Sequence, residues 1–321
     1  MSRAVALLRE HTFAFAAALT VVLVIVNIIV LPAFANPRNW PETLATFAPF
    51  ALVAMASTPS VVSGGGGLDI SIGPLATLIN VVFVFKLLPG GLGRPEISIP
   101  LLLALGTAVG AITGTLVGVL RYPPVIASLG MLFAIEGAAL AIAPNAAAAG
   151  SNWTSHLAGS IGPVPWGVVL VAIPLLVWAG LRLTAFHRTL YLVGGDDVTA
   201  YSAGVNVALT RLAAYALGGL FAAIAGIALT AVIQSGDATL AEQYTLIALA
   251  AVSIGGTPFG GGIGGLAGAV AGAAAIYMIQ NVLSSVNVSG LWVTVIYGVM
   301  LMGGVLLSAL IKAPWTRAAA A

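Results

Sequence analysis

Apolar residues along the chain fall into ten long runs separated by short polar, glycine-rich or proline-rich connections. Most runs have roughly 20 residues, the length that an α-helix needs to cross a bilayer. The pattern therefore predicts an all-α, polytopic membrane protein in which residues 1–321 form a single transmembrane domain of about ten helices. The runs cover about residues 12–35, 43–62, 74–88, 99–120, 125–143, 166–183, 209–233, 244–254, 266–283 and 291–311.

The orientation of the runs follows from their ends and from the basic residues between them. The first run ends in Ala33-Phe34-Ala35, which mimics a signal-peptide cleavage site, but it exceeds the roughly 15 residues of a signal h-region, so we expect a retained span. Ten crossings place both termini on one side, and the positive-inside rule predicts that this side is cytoplasmic. The terminal side carries Arg3, Arg9, Arg121, Arg182, Arg188, Lys312 and Arg317, and the opposite side carries Arg38, Lys86 and Arg94.

Four consecutive glycines and one acid follow the second run, in the stretch Ser63–Gly73 that we name the first break (S-G-G-G-G-L-D-I-S-I-G). Four glycines put about 4 kcal/mol against a continuous helix, so we expect the helix to end here. Broken backbone at membrane depth is tolerated where it is buried in protein or lines a watered cavity, which makes a transport path the first hypothesis. The alternative is a tight turn near one membrane face, with Asp69 or Ser71 capping a helix that begins around Pro74.

A second glycine-rich stretch, Gly255–Gly265, interrupts the chain before the ninth run, and we name it the second break. Two sets of glycines also recur every fourth residue, so each set is predicted to share one helix face that lets a neighbouring helix approach closely. One set lies in the fourth run, and the other follows the second break: Gly106, Gly110, Gly114 and Gly118, then Gly256, Gly260, Gly264, Gly268 and Gly272.

Composition supports a membrane protein and excludes several other classes. The chain is 60% hydrophobic and only 6% charged, with a mean hydropathy of +1.12, so its net charge of +2 describes topology and gives no basic patch for nucleic acid. Without cysteine it has no disulfide or thiolate site, and His11, His156 and His187 are too far apart to predict a metal site. Neither lysine follows the glycine pattern of a P-loop, so we expect no ATPase site, no catalytic residues and no cofactor.

Few polar residues interrupt the apolar runs, and two acids deserve a functional hypothesis. Charge near the bilayer centre costs at least about 2.5 kcal/mol, so Asp69 and Glu136 are candidates for the transport path, although either can instead be neutral and satisfied by a neighbouring helix. Four amides, Asn27, Asn80, Gln280 and Asn281, are predicted to form hydrogen bonds between helices.

Three motifs together resemble the permeases of ribose-type ABC sugar importers. Residues 67–73, G-L-D-I-S-I-G, resemble that family's G-I-D-L-S-V-G signature. Residues 194–207, G-G-D-D-V-T-A-Y-S-A-G-V-N-V, are similar to its cytoplasmic G-G-N-E-x-A-A-x-x-S-G-I-N-V loop, and residues 255–262, G-G-T-P-F-G-G-G, are similar to its G-G-T-S-L-x-G-G segment. The order, spacing and sidedness of these motifs agree over nearly the whole chain.

The resemblance implies a permease subunit of the bacterial inner membrane that carries a small polar solute, with a monosaccharide favoured. It implies as partners a second permease, identical or different, two cytoplasmic ATP-binding subunits and an extracytoplasmic solute-binding protein. With the reasoning above, the expected substrate path comprises Gly64, Gly65, Gly66, Gly67, Asp69, Ser71, Glu136 and Thr257. The expected ATPase-coupling loop comprises Gly194, Gly195, Asp196, Asp197, Ala200, Tyr201 and Gly204.

Residues 194–207, which we name the coupling segment, have a predicted local structure of their own. Asp196 or Asp197 is expected to cap a short helix through Ala203, and Gly204 to end it. The segment departs from the family pattern, with Asp196 in place of asparagine and Thr199 in place of alanine. Further departures are Tyr201, where a basic residue is frequent, Pro258 in place of serine, and Glu136 where an arginine commonly precedes the glycine.

Two other functions remain open at this stage. An ion-coupled secondary transporter would use Asp69 and Glu136 as a carboxylate relay driven by a proton or sodium gradient. A structural scaffold without transport activity would have little use for two costly helix breaks, so the pattern favours a transporter. ATP dependence of uptake distinguishes the two transporter classes.

Overall fold

The computed structural model describes residues 14–318, with side chains described through residue 306. The start of the predicted first run, with Arg3, Arg9 and His11, lies outside the described residues. Within them the chain forms twelve α-helices. These are α1 (Ala14–Val30), α2 (Trp40–Val62), α3 (Ile72–Val82), α4 (Pro95–Gly118), α5 (Pro124–Ile142), α6 (Trp166–Leu181), α7 (Ala185–Gly195), α8 (Asp197–Ser202), α9 (Val207–Ile233), α10 (Ala241–Ile254), α11 (Leu266–Ser285) and α12 (Gly290–Ala318).

Short irregular elements connect the helices. Four 3₁₀ helices occur at Pro32–Ala35, Pro37–Asn39, Trp153–Ala158 and Ala238–Leu240, and α3 continues into a π-helical turn at Phe83–Leu87. Four two-residue strands, β1 (Ala147–Ala148), β2 (Ser160–Ile161), β3 (Val164–Pro165) and β4 (Ser235–Gly236), form the antiparallel pairs β1–β4 and β2–β3.

Every predicted apolar run corresponds to helix in the structure. Five helical stretches, which contain α2, α4, α5, α9 and α11, are long and apolar enough to cross a membrane on their own. Helices α6 and α7 pass the same criterion only as a pair that is bent by 89°. The remaining runs form shorter apolar helices, at Ala14–Val30, Ile72–Leu87, Ala238–Ile254 and Gly290–Leu306. The protein is therefore a polytopic, predominantly helical membrane protein.

Helix α2 lies at the centre of the fold. It packs against α6, α9, α10 and α11, and 89% of its most apolar 18-residue stretch is buried within the subunit. Helix α5 is the opposite case. Only 22% of its most apolar 18-residue stretch is buried, so most of its apolar side chains lie on the outer surface of the subunit. The first break follows the buried end of α2, and it is buried at Ser63, Gly64 and Gly67 but exposed at Gly65 and Gly66.

The glycine face of α4 packs directly against α9, as the four-residue spacing predicts. A methyl group built on Gly106 would lie 2.5 Å from the carbonyl oxygen of Gly219, and one built on Gly114 would lie 2.8 Å from the Cα of Leu212. Contacts this short leave no room for a side chain. The glycines thus allow the two helix backbones to touch.

The second set of glycines is only partly a helix face, which corrects the prediction. Helix α11 begins at Leu266, so Gly256, Gly260 and Gly264 belong to the break, where Gly256 and Gly264 have φ values of 78° and 100°. The close packing is confirmed for the two glycines within α11. Gly268 packs against Gly255, and Gly272 packs against Ala251 at the end of α10.

Three of the four amides predicted to connect helices, Asn27, Asn80 and Gln280, do so. The Nδ2 of Asn27 donates to the carbonyl of Met278, 3.0 Å away, which joins α1 to α11. The Nδ2 of Asn80 donates to the Thr230 hydroxyl and to the carbonyl of Ser235, each at 2.8 Å. Gln280 accepts a hydrogen bond from the hydroxyl of Tyr297, which joins α11 to α12.

The connection from Pro144 to Pro165 is ordered by pairing with the segment that follows α9. Strand β1 pairs with β4, placing Ala147 opposite Gly236. The Nδ2 of Asn152 donates to the side-chain oxygen of Gln234 at 3.3 Å, where Gln234 ends α9 in a left-handed conformation. This end of the fold is therefore held by backbone pairing as well as by side chains.

Candidate functional site

The first break is a true interruption of the helix, as predicted. Helix α2 ends at Val62 and α3 begins at Ile72. Gly64, Gly65 and Gly66 have φ values of 74°, 65° and 74°, a left-handed conformation that a residue with a Cβ adopts at a cost. Gly65 and Gly66 are exposed, whereas Gly67 is buried. The run of glycines therefore turns the chain sharply and leaves a stretch of bare backbone at its tip.

Asp69 is buried at the end of the first break, with 2% of its surface exposed. Its Oδ1 accepts hydrogen bonds from the Ser71 amide, 3.0 Å away, and from the Ser71 hydroxyl, 2.6 Å away. This side-chain turn leads directly into α3, which begins at Ile72 and whose N-cap residue Ser71 makes no side-chain capping hydrogen bond. The Ser128 hydroxyl of α5 donates to the carbonyl of Leu68 at 3.2 Å, so α5 also touches the break.

Glu136 lies eight residues after Ser128 on α5, which corresponds to about 12 Å along the helix axis. It is half-buried, and among the residues whose side chains are described it makes no hydrogen bond with Asp69. The structure therefore does not bring the two acids together as a paired relay.

The second break has the same character as the first. Gly261 and Gly262 have φ values of 76° and 78°. Thr257 is fully buried, and its hydroxyl accepts a hydrogen bond from the amide of Gly265, 3.2 Å away. That bond closes the loop just before α11 begins. The Tyr191 hydroxyl of α7 donates to the carbonyl of Gly264 at 2.7 Å, so the second break is also bonded to α7.

The coupling segment folds as predicted. Asp196 caps α8, since its Oδ1 accepts hydrogen bonds from the amides of Val198 and Thr199 at 3.0 and 3.1 Å. Gly204, with a φ of 82°, ends the helix. Ala200 is buried on the inner side of α8, whereas the Tyr201 and Val198 side chains are each 72% exposed. The helix therefore has a buried side that packs on the protein and an exposed side that is free to contact a partner.

The end of α2, the two breaks and the end of α7 meet at one point, at a set of contacts that we name the glycine junction. The amide of Gly262 donates to the carbonyl of Val62 at 3.0 Å, which joins the second break to the end of α2. A methyl group on Gly64 would lie 2.7 Å from the Cα of Gly194, and one on Gly262 would lie 2.7 Å from the Cα of Gly195. Both breaks and the end of α7 are thus in direct backbone contact.

Arg211 is the residue of this site that sequence reasoning missed. It lies on the second turn of α9, and its Nη2 donates to Asp197 Oδ2 at 2.8 Å. The same Nη2 would lie 2.5 Å from a methyl group on Gly65. The guanidinium therefore sits between the coupling segment and the first break. The available signal was a charge near the start of an apolar run.

An open cleft of about 1170 Å³ lies beside this ion pair. One wall is α8 and the segment that follows it, and the other is the turn between α4 and α5. Arg121 in that turn has a φ of 59°, a left-handed conformation that is uncommon for a residue with a side chain. Arg121, Asp197 and Arg211 give the cleft a charged lining, so it suits a polar protein segment better than an apolar ligand.

Comparison with known proteins identifies the family of this chain. Residues 39–310 match the family described as the branched-chain amino acid transport system permease component. The chain belongs to this permease family. It is 30% identical to the ribose import permease protein of Bacillus subtilis (strain 168) over 292 residues, 89% of each chain. No solved structure matches the chain.

Two relatives from Escherichia coli (strain K12) extend the comparison. An inner membrane ABC transporter permease protein is 29% identical over 279 residues, covering 84% of this chain and 83% of the relative. The xylose transport system permease protein is 37% identical over 142 residues, covering 43% and 36%. The family and these relatives do not support the ion-coupled alternative, in which Asp69 and Glu136 would form a relay.

Proposed function

We propose that this permease subunit forms the translocation path of an ATP-driven importer for a monosaccharide. The solute is delivered by an extracytoplasmic binding protein, and two cytoplasmic ATP-binding subunits supply the energy. A second permease, identical or different, completes the path in the bacterial inner membrane. The observation that carries the proposal is the glycine junction, because it connects both helix breaks to the segment available for an ATPase.

The proposed topology has ten crossings with both termini in the cytoplasm. Its support is the set of five long apolar helices, one bent pair and four shorter apolar helices. The unequal distribution of arginine and lysine gives the direction. In this orientation the cleft, the coupling segment and both breaks open toward the cytoplasm, and the β1–β4 pairing lies on the outer side.

The proposed substrate path runs past the first break. Gly65 and Gly66 present exposed backbone without side chains, which offers a sugar hydroxyl both donors and acceptors. Gly64 and Gly67 set the turn, and Asp69 with Ser71 fixes its exit into α3. Thr257 holds the second break in shape through its bond to Gly265.

Glu136 contributes to the path from α5, the least buried of the five long apolar helices. Glu136 is half-buried, and the helix that carries it touches the first break through Ser128. A carboxylate in that position suits the hydroxyl groups of a sugar, which donate hydrogen bonds to it.

The proposed ATPase-docking element is the coupling segment. The helix α8 is short, capped at Asp196 and ended at Gly204, so it can move as a rigid body. Tyr201 and Val198 on its exposed side contact the ATPase, while buried Ala200 holds it to the permease. Movement of α8 then reaches both breaks through Gly194 and Gly195.

Uptake in proteoliposomes tests this function. Proteoliposomes that contain the chain with its ATP-binding subunits and solute-binding protein should take up labelled ribose or xylose only when ATP is present on the cytoplasmic side of the complex. The purified chain alone should hydrolyse no ATP. Uptake that follows an imposed proton or sodium gradient, and does not respond to ATP, would overturn the proposal.

A further inference from the structure

Arg211 makes the side-chain connection between the coupling segment and the first break. Its guanidinium pairs with Asp197 of α8 and lies against the backbone of Gly65. The arginine side chain is 16% exposed and the aspartate 44%, so the pair is partly shielded from solvent. The glycine junction transmits movement by backbone contact, whereas this pair can be made or broken by moving one helix.

Two buried polar atoms beside the pair lack partners within the part of the chain whose side chains are described. They are the Nε of Arg211 and the hydroxyl of Tyr215, one turn further along α9. Tyr215 is fully buried. Buried donors without partners are costly, and native proteins leave few of them. Such a pair of atoms is expected where a second arrangement of the same residues supplies the missing partners.

Asp69 is the acceptor available for that second arrangement. It is buried four residues after Gly65, and the hydrogen bonds that the structure gives it come from Ser71 alone and reach only its Oδ1. Tyr215 follows Arg211 by four residues on α9, so the two side chains lie on the same face of the helix. A cation that moves from Asp197 toward Asp69 would therefore approach the second carboxylate oxygen of Asp69, which accepts no hydrogen bond from the described side chains.

We propose that Arg211 is a positioning residue that exchanges Asp197 for Asp69 when α8 moves, and so transmits the state of the ATPase to the first break. The inference rests on the proposed function, because it assumes that an ATPase moves α8. In the state described here Asp197 holds Arg211 against Gly65. When α8 withdraws Asp197, the guanidinium turns to Asp69 and Tyr215, and the break changes shape.

The absence of cysteine from the chain allows a direct readout of the break. A single Leu68→Cys substitution places a thiol in the first break, where its reaction with a water-soluble maleimide reports the shape of the loop. The complete complex in proteoliposomes would be labelled without nucleotide and with ATP plus vanadate. The labelling rate should differ between the two states, and uptake of labelled ribose or xylose would be measured in parallel.

The exchange makes opposite predictions for the two partners. Asp197→Asn should release Arg211, so that Leu68→Cys reacts without nucleotide at the rate otherwise seen with ATP and vanadate. Arg211→Gln should abolish the nucleotide-dependent difference and lower uptake per ATP hydrolysed roughly tenfold, since charged partners in contact couple strongly. The double variant should behave as Arg211→Gln does, because Asp197 acts only through Arg211.

Two further variants separate this role from a structural one. Arg211→Lys keeps the cation and should retain the nucleotide-dependent difference. Arg94→Gln removes an exposed arginine at the start of α4 and should leave labelling and uptake unchanged. Additive effects of Asp197→Asn and Arg211→Gln, or an unaltered nucleotide response in Arg211→Gln, would overturn the inference. If instead the natural chain, without Leu68→Cys, inserts normally but shows no ATP-dependent uptake in the same complex, the proposed function is what fails.

Discussion

The hydroxyl of Thr199 donates a hydrogen bond to Asp196 Oδ2 at 2.7 Å, so two departures from the family pattern contact each other. The family commonly has asparagine and alanine at these positions. Both aspartate and asparagine can accept the amide hydrogen bonds of a helix N-terminus through Oδ1. Thr199 donates a hydrogen bond to the second carboxylate oxygen, which an alanine could not do.

This pairing predicts how the cap of α8 responds to substitution. Asp196→Ala should increase hydrogen exchange at the Val198 and Thr199 amides a few-fold, because both lose their acceptor. Asp196→Asn combined with Thr199→Ala restores the family pair and should leave exchange near that of the natural chain. Hydrogen exchange followed by mass spectrometry of the peptide that spans α8 measures both. Equal exchange in Asp196→Ala and the natural chain would show that the cap contributes nothing.

The same cap predicts a pH dependence at acidic pH. Hydrogen bonds from the Thr199 hydroxyl, then from its amide, hold the pKa of Asp196 below its usual value of 3.8. A lowered pKa means that the cap stabilises α8 fully above about 3.8 and is lost as the pH falls through the pKa of the folded protein. Thr199→Ala removes the largest cause and should raise the pKa toward 3.8. Carboxyl NMR of aspartate-labelled protein measures the shift, and an unchanged pKa in Thr199→Ala would contradict the assignment.

Adjacent glycines at the end of α7 give a matched test of the glycine junction. A methyl group on Gly194 would clash with the carbonyl of Val62 and lie 2.6 Å from the amide of Gly262, whereas one on Gly195 meets nothing within 4 Å. Gly194→Ala should lower the free energy of unfolding by about 3 kcal/mol through overpacking. Gly195→Ala should leave it unchanged or raise it by up to about 1 kcal/mol through helix propensity. Thermal unfolding in detergent compares them, and equal stability of the two variants would contradict the close contact.

Local sequence patterns predicted the elements of this fold but not how they meet. The ten runs, both helix breaks and the cap at Asp196 follow from hydrophobicity, glycine content and turn chemistry within a few residues. The junction joins Val62, Gly194 and Gly262, which are separated by more than sixty residues. In the sequence, a glycine that turns the chain cannot be told from one that allows a close approach. Arg211 was missed for a related reason, because one of the two residues that it contacts is Gly65, which is distant in sequence and has no side chain.

The same limit explains the second glycine set. A spacing of four indicates a helix face only where the chain is helical, and Gly256 to Gly264 precede the start of α11. Their periodicity has no structural meaning there, since positive φ values at Gly256 and Gly264 place them in a loop. Gly268 and Gly272 show the predicted packing because they lie within the helix.

Asp69→Asn separates the charge of Asp69 from its part in the turn. The turn depends on Oδ1, which accepts from the Ser71 amide and hydroxyl, and an asparagine oxygen can accept the same two bonds. Membrane insertion and stability should therefore be retained. Uptake should fall, because the substitution removes the carboxylate on the proposed path and the proposed second partner of Arg211. Ser71→Ala is the complementary control, since it removes one donor from the turn and keeps the charge. Normal ATP-driven uptake of labelled ribose or xylose by Asp69→Asn would show that Asp69 serves the turn alone and that the solute path lies elsewhere.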